Sequence, residues 1–181
     1  MGSGGAIAAF RGYRLQALYA LARLVADQNL EYSPEGIEDL DIYSGNGDLL
    51  ESIQVKAHNS SLSLSDFSPH ANDSFFRRSI ETKTRHRNAN IVVVSYGPIG
   101  PQLALAWAGE SAERSEVINK LASQGYSQSE IQLIFSIKLL PASEDILEES
   151  VYSFLRSTLT AGDPRTAFEL LLYWIYRSSE Q

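Results

Sequence analysis

Two short segments carry side chains that together suit chemistry on a phosphate. Glu-Asp-Leu-Asp-Ile-Tyr-Ser (38–44) sets Asp39 and Asp41 two positions apart, and Glu-Ser-Ile-Gln-Val-Lys-Ala (51–57) repeats that spacing with Gln54 and Lys56. Residues two apart in an extended chain share a face. If the strands are neighbours, two carboxylates meet an amide and an amine. Carboxylates a few ångströms apart repel unless a proton or a cation lies between them. Hard oxygen ligands suit Mg²⁺, with Mn²⁺ as the alternative, and Mg²⁺ keeps waters and recruits phosphate oxygens. The Gln54 carbonyl is a further ligand. A protonated Lys56 cannot ligate, but it can orient or deprotonate a water and offset charge on a phosphorane. Acid, acid, amide and lysine is the set that metal-assisted phosphodiester hydrolysis requires. Each residue alone is common on an exposed sheet face. Lysine inside an otherwise apolar strand carries the most weight, because such a strand has no packing use for it.

Positioning these residues requires a hairpin. Gly-Asn-Gly-Asp (45–48) supplies residues that accept positive φ at low cost. Strands 38–44 and 50–57 then run antiparallel, with Leu40 and Ile42, and Ile53 and Val55, on the faces opposite the polar set. Upstream, Leu15, Leu18, Tyr19, Ala22 and Val25 recur at helical spacing and predict a helix from about Ile7 or Arg11 to Asp27. A short strand over 29–33 follows, ended by Pro34 and Gly36.

Downstream come a long polar loop, a helix from about Asp73 to Arg87 and a buried strand over Asn-Ile-Val-Val-Val-Ser-Tyr-Gly (90–97). Gly-Pro-Ile-Gly-Pro (97–101) breaks the chain. A helix over about 112–123 and a second buried strand over Ile-Gln-Leu-Ile-Phe-Ser-Ile-Lys-Leu-Leu (131–140) are predicted next. Two amphipathic helices close the sequence, the second with Asp163 as N-cap and Pro164 at its first position. Its Phe-Glu-Leu-Leu-Leu-Tyr-Trp-Ile-Tyr run (168–176) is apolar on every side, which suits packing on the sheet or self-association. The fold class is α/β: one domain over 1–181, with a mixed central sheet flanked by helices and a helical C-terminal extension beyond about residue 100.

Composition narrows the function. The 181 residues contain no cysteine, which excludes disulfides and cysteine zinc sites. His58, His70 and His86 are too scattered to read as a zinc set. No apolar run reaches bilayer length and no basic-then-apolar leader opens the chain, so a cytoplasmic protein without membrane contact is expected. No Gly-x-Ser-x-Gly nucleophile and no phosphate-binding Gly-rich loop with a lysine occurs. A net charge of −7 argues against nucleic-acid binding by overall field. The segment 75–88, however, carries Arg77, Arg78, Lys83, Arg85 and Arg87 against Glu81, a local +4 that leaves −11 for the remainder. A charge run is commonly just a solvated helix face. Lying directly after the Gln-x-Lys strand, this one is a candidate for contact with backbone phosphates.

The order of helix, aspartate strand, hairpin and Gln-x-Lys strand resembles the PD-(D/E)xK restriction-endonuclease-like superfamily, in the branch where glutamine replaces the middle acid. More narrowly, Arg-Gly-Tyr-Arg-Leu-Gln-Ala-Leu-Tyr-Ala-Leu (11–21), Pro-Glu-Gly-Ile-Glu-Asp-Leu-Asp-Ile (34–42) and Glu-Ser-Ile-Gln-Val-Lys (51–56) resemble the double-stranded-DNA endonuclease domains of bacterial anti-phage effectors. Those domains accompany CD-NTase signalling systems or precede STAND and NACHT-type NTPases. The resemblance covers about residues 5–100.

It implies an Mg²⁺-dependent endonuclease acting on double-stranded DNA and activated by homo-oligomerisation. The sensor or NTPase would be a region or subunit outside this chain. It places the family aspartate on Asp39 or Asp41, the Gln-x-Lys on Gln54 and Lys56, and the preceding glutamate on Glu35, with Glu38 as the alternative. Gln16 matches a glutamine facing the site, although Leu15 stands where the family often has an aromatic. The second reading is a nuclease-like module that does not cut and serves DNA docking or oligomerisation in a defence or signalling protein.

Overall fold

A computed structural model describes residues 3–178. Its centre is a five-stranded mixed sheet in which spatial order follows chain order: β1 (Glu31–Pro34), β2 (Leu40–Tyr43), β3 (Leu49–Lys56), β4 (Asn90–Ser95) and β5 (Lys138–Pro141). The first three strands form an antiparallel meander, and β3, β4 and β5 run parallel. The predicted hairpin is present. Gly47 adopts φ +80°, and the Ser44 amide donates to the Asp48 carbonyl at 2.9 Å.

Helices cover both faces. On one lie α1 (Ser3–Ala26), α6 (Glu144–Thr158) and α7 (Pro164–Ser178); on the other lie α2 (Phe75–Arg85), α3 (Pro101–Ala108), α4 (Ser111–Ser123) and α5 (Gln128–Phe135). β4 explains why its sequence shows no alternation. Val92 and Val94 enter the core under α1, while Ile91 and Val93 enter the core with α2 to α5. A central strand of a parallel pair is apolar on both faces because both are covered.

Most predicted elements occupy their places, and three differ. The first helix starts at Ser3, earlier than Ile7 or Arg11. The Gly-Pro-Ile-Gly-Pro break is followed at once by α3, with Pro101 in its first turn, a helix the sequence reading left out. The strand expected over 131–140 is largely helix. Ser127 accepts from the Glu130 amide, and Glu130 accepts from the Ser127 amide at 2.7 Å, a capping box that starts α5. Ile131 and Ile134 then bury on one face at helical spacing. Only Lys138–Pro141 remains extended, as an edge strand.

Candidate functional site

The antiparallel register pairs Leu40 with Ile53 and Asp41 with Ser52. That register carries Asp39 to Gln54 and Asp41 to Ser52 on one face of the sheet. The two aspartates consequently do different things. Asp39 sits just before β2; one of its oxygens accepts from the Gln54 amide nitrogen and from the Val55 backbone N–H. The Gln16 side chain of α1 is a third donor to it. Burial nevertheless dominates and pushes the Asp39 carboxyl above the usual aspartate range, against those donors and the nearby Lys56 charge.

Asp41 is fully buried. Its Oδ1 accepts from Ser52 Oγ at 2.6 Å, and its Oδ2 accepts from the Ile37 N–H at 2.6 Å and Tyr43 OH at 3.4 Å. Both of its oxygens are occupied. Asp41 thus pins the connection between β1 and β2, where Glu35 is held at φ +53° and Gly36 has no room for a Cβ because the Asp41 carboxylate fills that space. Expecting Asp39 and Asp41 to serve as equivalent candidate ligands overlooked Ser52, which lies two positions before Gln54 and gives Asp41 a structural partner.

Glu35 and Glu38, the alternative glutamates, also separate. Glu38 is nearly buried and receives a two-pronged bond from Arg78 Nε and Nη2 at 2.8 and 2.9 Å. Burial still raises its carboxyl, with Arg78 opposing. Glu35 is exposed, raised by partial burial and by the neighbouring Asp39 charge. Lys56 is half-buried, its Nζ donating to the Asp66 carbonyl at 3.2 Å and lying 5.9 Å from the Phe67 ring. Burial lowers its pKa, and Asp39, Asp66 and Glu38 resist the change.

These positions decide what a cation would find. Both oxygens of Asp41 and of Glu38 already accept from protein donors, and among the described residues no three histidine, aspartate or glutamate side chains converge as a metal set. Glu35 and Asp39, whose charges repel, remain, with Gln54 beside them. A small pocket beside Asp39, lined by Gln16, Ala17, Glu35, Ile175 and Tyr176, holds about 10 Å³. That is room for about one water or small ion.

The basic helix α2 is largely engaged within the chain. Arg77 stacks 3.9 Å over the Tyr126 ring and pairs with Glu130 at 3.1 Å. Arg78 holds Glu38, Lys83 donates to the Ala89 carbonyl at 2.7 Å, and Arg85 pairs with Glu81 one turn away. Arg87 lies just beyond the helix on an exposed turn. Arg77 and Arg78, both among the candidates for phosphate contact, are each tied to a glutamate distant in sequence.

No family model matches the chain, and the search of curated proteins finds no match. Solved structures do share its fold. The Acinetobacter baumannii Cap4 SAVED/CARF-domain containing receptor with the cyclic trinucleotide 2'3'3'-cAAA superposes at a TM-score of 0.58 and 15% identity, covering 91% of this chain and 40% of that one. The same receptor with 3'3'3'-cAAA gives 0.56 at 14% identity, with the same coverage. The Moraxella osloensis Cap4 SAVED/CARF-domain containing receptor gives 0.52 at 16%, covering 93% of this chain and 43% of that one. The chain therefore spans about two-fifths of the length of the receptors it resembles, and at such identities the likeness is one of fold.

These neighbours correct the expectation carried by the PD-(D/E)xK resemblance. They are SAVED/CARF-domain containing receptors, two of them with a cyclic trinucleotide. The readings of the chain as an Mg²⁺-dependent endonuclease and of double-stranded DNA as its partner are withdrawn. Within the site, Asp41 and Glu38 are held by protein donors, and Arg77, Arg78 and Arg85 of α2 by carboxylates and, for Arg77, a ring. No helix among the described residues is long and apolar enough to cross a membrane.

Proposed function

We propose that this chain is an assembly module of a cyclic-oligonucleotide-responsive receptor. On this reading its five-stranded mixed sheet is a scaffold, and the setting is bacterial anti-phage defence. The observation that carries the reading is coverage. Nine-tenths of the chain is matched by a two-fifths portion of receptors solved with and without a cyclic trinucleotide. The Asp39, Gln54, Lys56 and Gln16 cluster then acts as a polar clasp between α1, the β1–β2 connection and β3. Any resident Mg²⁺ or Mn²⁺ would rest on Asp39 and Glu35 with Gln54, completed by waters, and would supply positive charge between two carboxylates that otherwise repel.

The test is light scattering on the full-length protein, with and without 3'3'3'-cAAA or 2'3'3'-cAAA. The expected result is a change of assembly state with at least one of them. No binding and no change with either would overturn the proposal. A parallel arm incubates the protein and the cyclic trinucleotide with supercoiled plasmid and Mg²⁺. The plasmid is expected to remain intact, and its linearisation would overturn the scaffold reading.

A further inference from the structure

Helices α4 and α5 leave an open groove of about 450 Å³ between them. Ile118 of α4 and Ile131 and Phe135 of α5 line it, and Gln132 stands exposed on its rim. Its wall also carries a charge. Arg114 lies 3.9 Å over the Phe135 ring and gives one hydrogen bond, to the Ala106 carbonyl at 3.3 Å. A guanidinium has five N–H donors, and among the described residues no carboxylate pairs with this one. The groove therefore suits an apolar side chain that arrives together with an acid.

The first turns of α6 present that combination. Ile146 is 71% exposed, and Asp145 beside it has no ion-pair partner among the described residues. Glu149, one turn further on the same face, holds Arg156 at 2.9 Å. No base lies within four residues of Ile146. Other exposed apolar side chains bring the wrong charge to Arg114: Phe10 lies next to Arg11, and Leu140 two positions from Lys138. A molecule cannot seat its own α6 in its own groove. Val151 and Leu155 of α6 pack on the α1 face of the sheet, whereas Val117 of α4 and Ile131 of α5 pack on the other face. The incoming α6 must belong to a second copy. Two different surfaces then meet, and the contact is heterologous.

We infer that the α4–α5 groove of one copy receives the start of α6 from another, with Ile146 seated among Ile118, Ile131 and Phe135 and Asp145 against Arg114. This rests on the assembly reading and deepens it by naming the two surfaces that meet.

Sedimentation velocity on the full-length protein, with and without 3'3'3'-cAAA or 2'3'3'-cAAA, is the test, with far-UV circular dichroism as the folding check. Ile146→Glu removes the apolar group, and Gln132→Glu sets an acid against the incoming Asp145; both positions are exposed. Each change should weaken assembly by about tenfold or more, and Ile146→Ser serves if Ile146→Glu does not fold. Asp145→Lys, which brings a base to Arg114, should weaken it likewise. Mixing decides the geometry. The Ile146→Glu variant keeps a sound groove and the Gln132→Glu variant a sound α6, so an equimolar mixture should form a 1:1 pair and grow no further. Assembly indifferent to the Ile146 and Gln132 changes, or to Asp145→Lys, refutes these surfaces and leaves the assembly reading standing. So does a mixture that forms no such pair. No assembly under any condition overturns both.

Discussion

Ser52 Oγ donates to Asp41 Oδ1 at 2.6 Å across the β2–β3 pair, and neither residue has measurable exposure to solvent. That bond, with the Ile37 amide on the other oxygen, fixes the β1–β2 connection to the sheet. Asp41→Ala leaves the buried Ser52 hydroxyl without its acceptor and also removes the acceptor of the Ile37 amide, which lies on an exposed residue. The expected loss of stability is about 1–3 kcal/mol, the cost of one stranded buried group. Urea denaturation measures it, and a change below that range would mean that water takes over the carboxylate's role.

Gly36→Ala should destabilise by a comparable route. The added methyl would occupy the space of the Asp41 carboxylate, and Asp41 has nowhere to move without breaking its bond to Ser52. A lowered thermal midpoint is expected for Gly36→Ala. In an Asp41→Ala background the same change should cost much less, because the clash has gone. Additive losses would show that the two sites are independent.

The Arg78–Glu38 pair gives a third test. Glu38 is buried while Arg78 is partly exposed, so removing the arginine strands a carboxylate. Arg78→Ala should lower the denaturation midpoint more than the Glu38→Gln, Arg78→Ala double variant does. If the two are equal, the pair contributes only as a solvated surface contact.

Lys56 makes stability depend on pH. Its folded pKa is lowered by burial, so between that value and the unfolded value near 10.5 the unfolded chain binds more protons. Stability rises with pH through that window, and at lower pH the charged, half-buried amine opposes folding. Lys56→Met is expected to raise the urea midpoint at neutral pH, with the gain shrinking as pH climbs toward 10.5. A midpoint that falls at neutral pH would show that the bond to the Asp66 carbonyl outweighs burial of the charge.

Burial, and after it the neighbouring Asp39 charge, raises the Glu35 carboxyl, and a cation at the two residues would relieve that repulsion. Millimolar Mg²⁺ should therefore raise the thermal midpoint of the wild-type chain but not of Asp39→Asn. An equal shift in both, or none in either, rules out a cation at these residues.

The α/β class and most of the elements were legible in the sequence because periodicity and turn residues are local signals. Gly45–Asp48 fixed the hairpin, and Asp163 with Pro164 marked the start of α7, where the Thr166 amide donates to Asp163 at 3.0 Å. The 131–140 segment was misread because apolar content cannot separate a buried strand from a buried helix; the deciding signal was the Ser127 and Glu130 cap just upstream. The proximity of Asp39, Gln54 and Lys56 was legible from strand spacing. Their saturation by neighbours was not. Arg78 reaching Glu38 across 40 positions, and Asp66 receiving Lys56 from within the 58–72 loop, depend on loop paths that no periodicity encodes.

α1 finds its packing partners at the far end of the chain. Leu15, Leu18 and Leu21 share a core with Val151 and Leu155 of α6 and with Phe168 and Leu172 of α7. A ribosome delivers the N-terminus first. Within these residues α1 therefore waits, its apolar side open, until α6 and α7 have left the exit tunnel. Until then it must be shielded by a chaperone or fold back on the early meander alone. Stalled translation products ending before residue 168 should accordingly be the species most prone to aggregate or to be degraded.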